Sequence, residues 1–407
     1  MAKRVICFAG GGHISNQNVS FRKLQEILEP KGYEFYGARN GFEAFETGEY
    51  CKLDFRKVSA NLAGFYAGAG RYSLTDKNTK EIIPERLEKA ENFFRRGRFD
   101  IGSGSGGDDH GKQIAIMAKT IPNVGFCVHN KTMDGDLGGI DGRRDAPYTD
   151  CTNGFHTAVS SAVRQIHHHH AGAWTNDCPT IITLFGRDTN WVSAAVAYWS
   201  SADKILYGEL PSKEAHEGHH IERIYNLIVE SQDKNEKKYG RRFATIIVPE
   251  GTRIKEINHI DENAKDIHGN NKLMPKVLSN RLEELLKNNY NLKVNSVVID
   301  YLMRDSPPSA QDVRLGNMSA KVLADAILRG EFGVESTFKI RDGKIHAGVA
   351  PIERVSEKRF MRYYPKRLID EGTFEVTEEM GRYYEPLFGP RKRLSDILPP
   401  KIHWMKV

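Results

Sequence analysis

Two polar turns concentrate the side chains that could do chemistry. The first, GSGSGGDDHGK, runs from Gly102 to Lys112. Glycines let a backbone approach an anion, and amides opening the next helix point toward it. Asp108 and Asp109 stand in the same turn, and carboxylates repel phosphate unless a cation lies between. The pair therefore points to phosphate bound through Mg²⁺, although an aspartate-capped helix after a glycine linker would use the same residues. The second turn is Asn130-Lys131-Thr132-Met133-Asp134-Gly135-Asp136. One carboxylate there could accept the proton of an attacking hydroxyl while the lysine neutralises charge on a phosphoryl group. Read alone, D-x-D in a polar loop is as well explained by a solvated turn. A buried strand before it and the first turn beside it favour chemistry.

Those turns need a scaffold, and the pattern around them supplies one. The opening VICFAGGG reads as a strand running into a glycine turn, followed by a helix over Asn18–Leu28 and a strand at Tyr33–Tyr36. A second unit follows: helix Pro84–Arg96, strand Phe99–Ile101, the Gly102 turn, helix Lys112–Lys119 and strand Val124–Cys127. The pattern restarts at Thr180 with TIITLF, the turn GRDTN and helix Trp191–Trp199. Strands at Phe243–Val248 and Val294–Tyr301 and a helix over Val313–Leu328 complete it. Recurring strand, turn and helix predict an α/β fold with mostly parallel sheets covered on both faces. Ligands of such folds sit at the carboxyl ends of the strands, where all these turns lie.

The chain has 407 residues, beyond the size one core usually serves, so two domains are expected. Its 59 basic and 53 acidic residues give a net charge of +6 without a basic block, which argues against a nucleic-acid partner. No apolar run is long enough for a membrane helix, and the N-terminus turns glycine-rich before a signal core develops. Five separated cysteines without a C-x-x-C pair suit a cytoplasmic protein with reduced thiols. The run His167–His170 reads as a solvated helix end or loop. His216 and His220 could share one helix face but lack the carboxylate of a metal motif. The residues between Trp191 and Trp199 read as a buried helix face, and the tail beyond Gly372, rich in Arg, Tyr and Pro, as an accessory or interface segment.

The turns in their order resemble the 6-phosphofructokinase family. The resemblance rests on Gly11-Gly12, Gly106-Gly107-Asp108-Asp109, Lys131-Thr132-Met133-Asp134-Gly135-Asp136, Gly186-Arg187, Pro249-Glu250-Gly251 and Arg304, and spans roughly residues 4 to 360. It implies two Rossmann-like three-layer domains with the active site in the cleft between them. One would comprise 1–147 plus about 304–350 and bind the phosphate donor; the other, 148–303 plus about 351–407, would bind the sugar phosphate. It implies Mg²⁺-dependent transfer to the 1-hydroxyl of fructose 6-phosphate, in a homo-oligomer. Asp134 would be the base, Thr132 a hydrogen-bond donor to the transition state, and Asp108 and Asp136 the metal-placing carboxylates. Gly11, Gly12, Arg71, Gly107, Asp109 and Lys131 would hold the donor. Thr132, Asp134, Asp136, Gly186, Arg187, Glu250, Tyr301 and Arg304 would hold the acceptor.

Donor choice has a physical argument. Relatives that use ATP carry glycine where this chain has Asp109 and Lys131. An aspartate there would crowd and repel a nucleotide α-phosphate, and a lysine would fill the vacated space and grip a terminal phosphate. Both positions resemble the pyrophosphate-dependent branch. Elsewhere the chain departs from the family: His13 replaces an aspartate in the first glycine turn, Phe185 precedes Gly186-Arg187 where methionine is common, and Tyr301 stands in for a histidine. Lys293, Tyr364 and Arg367 are the candidates for contacting the sugar's 6-phosphate. A changed acceptor, or a silent sugar-phosphate sensor, would keep the same fold.

Overall fold

The computed structural model describes residues 2–70, 72–139, 147–186, 190–207, 218–265, 271–356, 362 and 364–401. The chain divides into two compact units. The first comprises Met1–Thr157, Lys265–Asn270 and Arg304–Arg362; the second comprises Ala158–Ala264, Asn271–Met303 and Tyr363–Val407. The first unit thus extends ten residues past the expected boundary at 147 and twelve past the one at 350. The segment after 147 stays with it because Thr149 and Asp150 bond to the strand Val334–Arg341, Thr149 through an amide of Phe338 at 2.9 Å and Asp150 through that of Ile340 at 2.8 Å.

In the first unit the strands run in the spatial order Lys344–Pro351, Val334–Arg341, Gly125–Asn130, Ile101–Gly106, Lys3–Gly10, Tyr33–Ala38, Tyr50–Lys52. The inner pairs are parallel; Lys344–Pro351 and Tyr50–Lys52 close the edges antiparallel. Apolar clusters fill both faces, one around Phe8, Phe94, Ile114 and Phe126 and one around Val5, Phe21, Phe35 and Leu323. In the second unit Asn295–Ile299, Thr180–Leu184, Thr245–Pro249 and Lys204–Ile205 pair in parallel.

The largest departure from the sequence reading concerns Gly102–Gly106. These residues are not a turn but a fully buried central strand, Ile101–Gly106. The glycines are there because neighbours occupy their side-chain space. A Cβ on Gly102 would lie 2.8 Å from the Phe126 ring, one on Gly104 2.2 Å from Ile114, and one on Gly106 2.3 Å from His110. The turn shrinks to Gly107, and the helix starts at Asp108 rather than Lys112, running to Thr120. A second correction concerns the histidine run. It lies inside the helix Phe155–Asn176, and His170 is buried, bonded to the Ser200 carbonyl at 2.8 Å and the Thr245 hydroxyl at 2.9 Å. His220 precedes the helix Ile221–Tyr239 and pairs with Glu256 at 3.3 Å, while its proposed companion His216 lies outside the described residues. Among the described residues no helix is long and apolar enough to cross a membrane.

Candidate active site

Each turn singled out in the first unit leaves the carboxyl end of a parallel strand, as such a sheet requires. Gly11 and Gly12 follow Lys3–Gly10, Gly107 to Asp109 follow Ile101–Gly106, and Lys131 to Asp136 follow Gly125–Asn130. Gly11 takes φ +75°, which only glycine adopts without strain. A Cβ on Gly12 would stand 2.1 Å from the Arg304 guanidinium, so the missing side chain lets Arg304 lie against the turn.

Lys131 is buried, 3% exposed, and its ammonium donates to the carbonyls of Gly10 at 3.2 Å and Gly12 at 2.6 Å. Burial pulls its pKa down to about 7; the Arg304 charge adds to the fall and Asp134 opposes it. Lys131, Arg304, Asp134 and the first glycine turn are therefore one constellation. The Thr132 hydroxyl accepts from the Asp134 amide at 3.1 Å and donates to the Asp134 carboxylate at 3.3 Å, fixing both side chains in one turn. Asp108 and Asp109 open their helix, where the amide dipoles favour negative charge. Lys112 binds Asp108 at 2.9 Å and Asp109 at 3.4 Å.

Asp136 carries the clearest sign of charge crowding. Its carboxyl is pushed well above the usual range, first by loss of water and then by the charges of Asp134 and Asp108. A divalent cation would relieve that repulsion. Among the described residues no three metal-ligating side chains stand ready to enclose an ion. Mg²⁺ is held by one or two carboxylates and completes its shell with water and phosphate oxygens, and the crowded carboxylates of Asp108, Asp134 and Asp136 are of that type. The residues present fit the group.

Sequence reasoning missed what holds these turns. Arg362, 4% exposed, donates its amide to the Asp136 carbonyl at 2.6 Å and its guanidinium to the carbonyls of Gly135 at 3.2 Å and of Asp150. Asn153 donates to the Asn130 carbonyl at 2.9 Å and accepts from Asn16 at 2.9 Å, tying the strand that feeds Lys131 to the first glycine turn. No local pattern marks either residue, because their partners are distant in the sequence. His13, the departure in the first turn, pairs with Asp305 next to Arg304.

In the second unit Gly186 and Glu250 meet: the Gly186 amide donates to the Glu250 carboxylate at 3.2 Å, and Glu250 is 8% exposed. Tyr301 is 54% exposed and packs edge-on against Phe185 with ring centres 5.5 Å apart. All three follow the carboxyl ends of parallel strands. The strand expected to reach Tyr301 ends at Ile299, and Arg304 sits in the helical turn Leu302–Asp305. Tyr364 is corrected: it is 4% exposed and packs on Trp191 at 4.9 Å, a core position that leaves it no phosphate to touch. Arg367 is paired with Glu379. Arg71 and Arg187 lie outside the described residues.

Comparison with known proteins agrees with this geometry. The sequence profile of the family described as Phosphofructokinase matches residues 4–327. The pyrophosphate–fructose 6-phosphate 1-phosphotransferase of Thermoproteus tenax is 24% identical over 89% of this chain and 96% of its own. The ATP-dependent 6-phosphofructokinase 3 of Streptomyces coelicolor is also 24% identical, over 81% of this chain and 89% of its own. The crystal structure of a pyrophosphate-dependent phosphofructokinase from Nitrosospira multiformis has the same fold, with a TM-score of 0.75 at 17% identity, covering 97% of this chain and 93% of that one.

Proposed function

We propose that this chain, which belongs to the phosphofructokinase family, transfers a phosphoryl group from inorganic pyrophosphate to the 1-hydroxyl of fructose 6-phosphate. Relatives of equal identity use pyrophosphate in one case and ATP in another, so the donor has to be argued from this chain's own residues. The observation that carries the reading is Lys131. Its buried ammonium sits on the glycine turn beside Arg304 with its pKa drawn down to about 7, and an arriving anion would restore the charge that burial disfavours. Asp109 opens the adjoining helix, where it would oppose a nucleotide's α-phosphate.

In the reaction Asp134 would take the proton of the attacking hydroxyl on its carboxylate, with Thr132 keeping that carboxylate in place and donating to the phosphoryl group. Lys131 and Arg304 would offset charge on the transferred group. Mg²⁺, when bound, would neutralise phosphate oxygens, and Asp108 and Asp136 are the residues that would hold it. Gly186 and Glu250, with Arg187, would hold the sugar phosphate. We extend the proposal to a cytoplasmic homo-oligomer with no nucleic-acid or membrane partner. A second reading, an acceptor other than fructose 6-phosphate, is favoured by the exposed Tyr301–Phe185 pair where the family has a histidine.

The test is kcat/KM for pyrophosphate and for ATP, each against a panel of sugar phosphates and polyols with Mg²⁺. The proposal expects pyrophosphate to be the better donor. Lys131→Met should lower pyrophosphate efficiency roughly tenfold or more, since one charged contact is worth about 1.5–3 kcal/mol. Asp109→Gly should admit ATP. A wild-type preference for ATP would overturn the donor; turnover only on another acceptor would establish the second reading; and donor binding without turnover on any acceptor would mark a silent sensor.

A further inference from the structure

His13 departs from the family pattern in the first glycine turn, and the proposed function gives it no task. Its ring nitrogen Nε2 donates to the carboxylate of Asp305, the residue after Arg304. The two lie 292 positions apart in the sequence, and their side chains are 43% and 50% exposed. An exposed pair of this kind adds little to stability, because water and salt screen it. Its place says more. It bridges the glycine turn and the short helix Leu302–Asp305 that carries Arg304, with both ends of the bridge in the first unit.

The two ends are held unequally. Around His13 the backbone is fixed: the Gly64 amide donates to the Ile14 carbonyl at 3.3 Å, and the Gly64 carbonyl accepts from the Asn18 side chain at 2.7 Å. A Cβ on Gly64 would stand 3.2 Å from that of His13, so this loop packs directly against the histidine. The Arg304 end has less to hold it. Of Leu302–Asp305 only Met303 is buried, while Leu302 and the preceding Tyr301 are 56% and 54% exposed. A turn with one buried side chain has few contacts to resist local opening. Arg304 also meets an opposing charge effect. Its guanidinium fills the space a Gly12 side chain would take, on the turn whose Gly12 carbonyl accepts the Lys131 ammonium at 2.6 Å. After burial, the Arg304 charge is the next cause of the low Lys131 pKa, so the two cations repel. Repulsion at that range drives a guanidinium toward water unless the backbone beneath it is tied down.

We propose that His13 and Asp305 are positioning residues: their bond ties the Arg304 turn to the glycine turn and sets the guanidinium beside Lys131 before the donor arrives. This role rests on the phosphoryl-transfer reading above, and the pair acts through Arg304, which makes the contact with the donor. Without the tie, the cost of ordering a long, rotamer-rich arginine falls on donor binding.

The test measures binding of pyrophosphate and of ATP by calorimetry, and kcat/KM for each, in the full chain with Mg²⁺. Asp305→Ala and His13→Leu should each weaken binding of the donor that wild type prefers roughly tenfold, and the two together no further. His13→Gln, whose amide can reach the same carboxylate, should recover most of the loss. Urea unfolding should be unchanged throughout, since the pair is exposed. In an Arg304→Met background, Asp305→Ala should have no further effect on binding, which a merely structural role would not produce. A loss that persists undiminished in that background overturns the proposal, as does wild-type affinity in both single variants. Unfolding of either single variant also overturns it, because the pair would then be a support of the fold. A wild-type preference for ATP overturns the donor reading and leaves this cycle to be read with ATP; binding of neither donor overturns both.

Discussion

The two units carry their candidate residues in different ways. In the first, the Lys131–Asp136 turn is held by groups outside the proposed catalytic set: Arg362 on its carbonyls and Asn153 on the strand before it. In the second, Glu250 and Gly186 hold each other directly, and the neighbouring Tyr301 stands in solvent. The contrast separates two demands. A group that moves a proton must be fixed to a fraction of an ångström, whereas groups that only hold a substrate tolerate more freedom.

The strongest way to break this contrast is to remove the proposed proton acceptor. Asp134→Asn should lower kcat by about 10²–10⁴-fold with little change in KM, whereas Glu250→Gln should act mainly on the acceptor KM. Steady-state kinetics of the pair checks it, and equal kcat losses would erase the distinction. Next comes the clamp. Arg362→Met leaves two buried carbonyls, those of Gly135 and Asp150, without their donor, so unfolding by urea should show a loss of about 3 kcal/mol. A fall in kcat larger than the rise in KM should accompany it, which simple destabilisation would not produce. A smaller effect is expected at Gly186, where φ is +144° and a Cβ would meet that of Val192 at 3.2 Å. Gly186→Ala should cost about 1–3 kcal/mol of stability and loosen acceptor binding without slowing the proton transfer.

The smallest effect uses one buried histidine from each unit. Burial draws His129 down to about 3 and His170 to about 4. Each binds its proton more readily unfolded, at the usual 6.5, so the stability it supports is complete above pH 6.5. That stability is lost as pH falls from 6.5 toward the folded value, at up to about 1.4 kcal/mol per pH unit per histidine. His129→Gln and His170→Gln should each flatten that part of the stability profile, measured by denaturation between pH 4 and 7. An unchanged slope in both would show that other groups carry the acid response.

The sequence made the alternation of strand and helix legible, and with it the placement of chemistry at strand ends, because burial on two faces and turn chemistry are both local signals. Gly107, Lys131, Thr132, Asp134 and Asp136 stood out for the same reason. The Gly102–Gly106 strand was misread because glycine ordinarily signals a turn, and only the neighbouring Phe126, Ile114 and His110 explain its use in a strand. The antiparallel pair Val334–Arg341 and Lys344–Pro351 escaped notice because its exposed and half-buried positions lack the apolar run of the inner strands. Arg362 and Asn153 were invisible since their partners lie far away in the sequence and are largely backbone groups, which local spacing of side chains does not reveal.

The glycine-rich strand Ile101–Gly106 has a consequence for how the molecule is assembled. Glycine has the greatest backbone freedom to lose and brings no side chain to pack, so this strand has little tendency to form by itself. It occupies the middle of the sheet, between Lys3–Gly10 and Gly125–Asn130, and its partners' side chains occupy the space its own would fill. It is therefore expected to join the sheet late in folding, once both neighbours have gathered. Gly107, Asp108 and Asp109 follow it directly, so the proposed donor turn would take shape with that last step. A chain caught short of it would have most of its secondary structure and none of its chemistry.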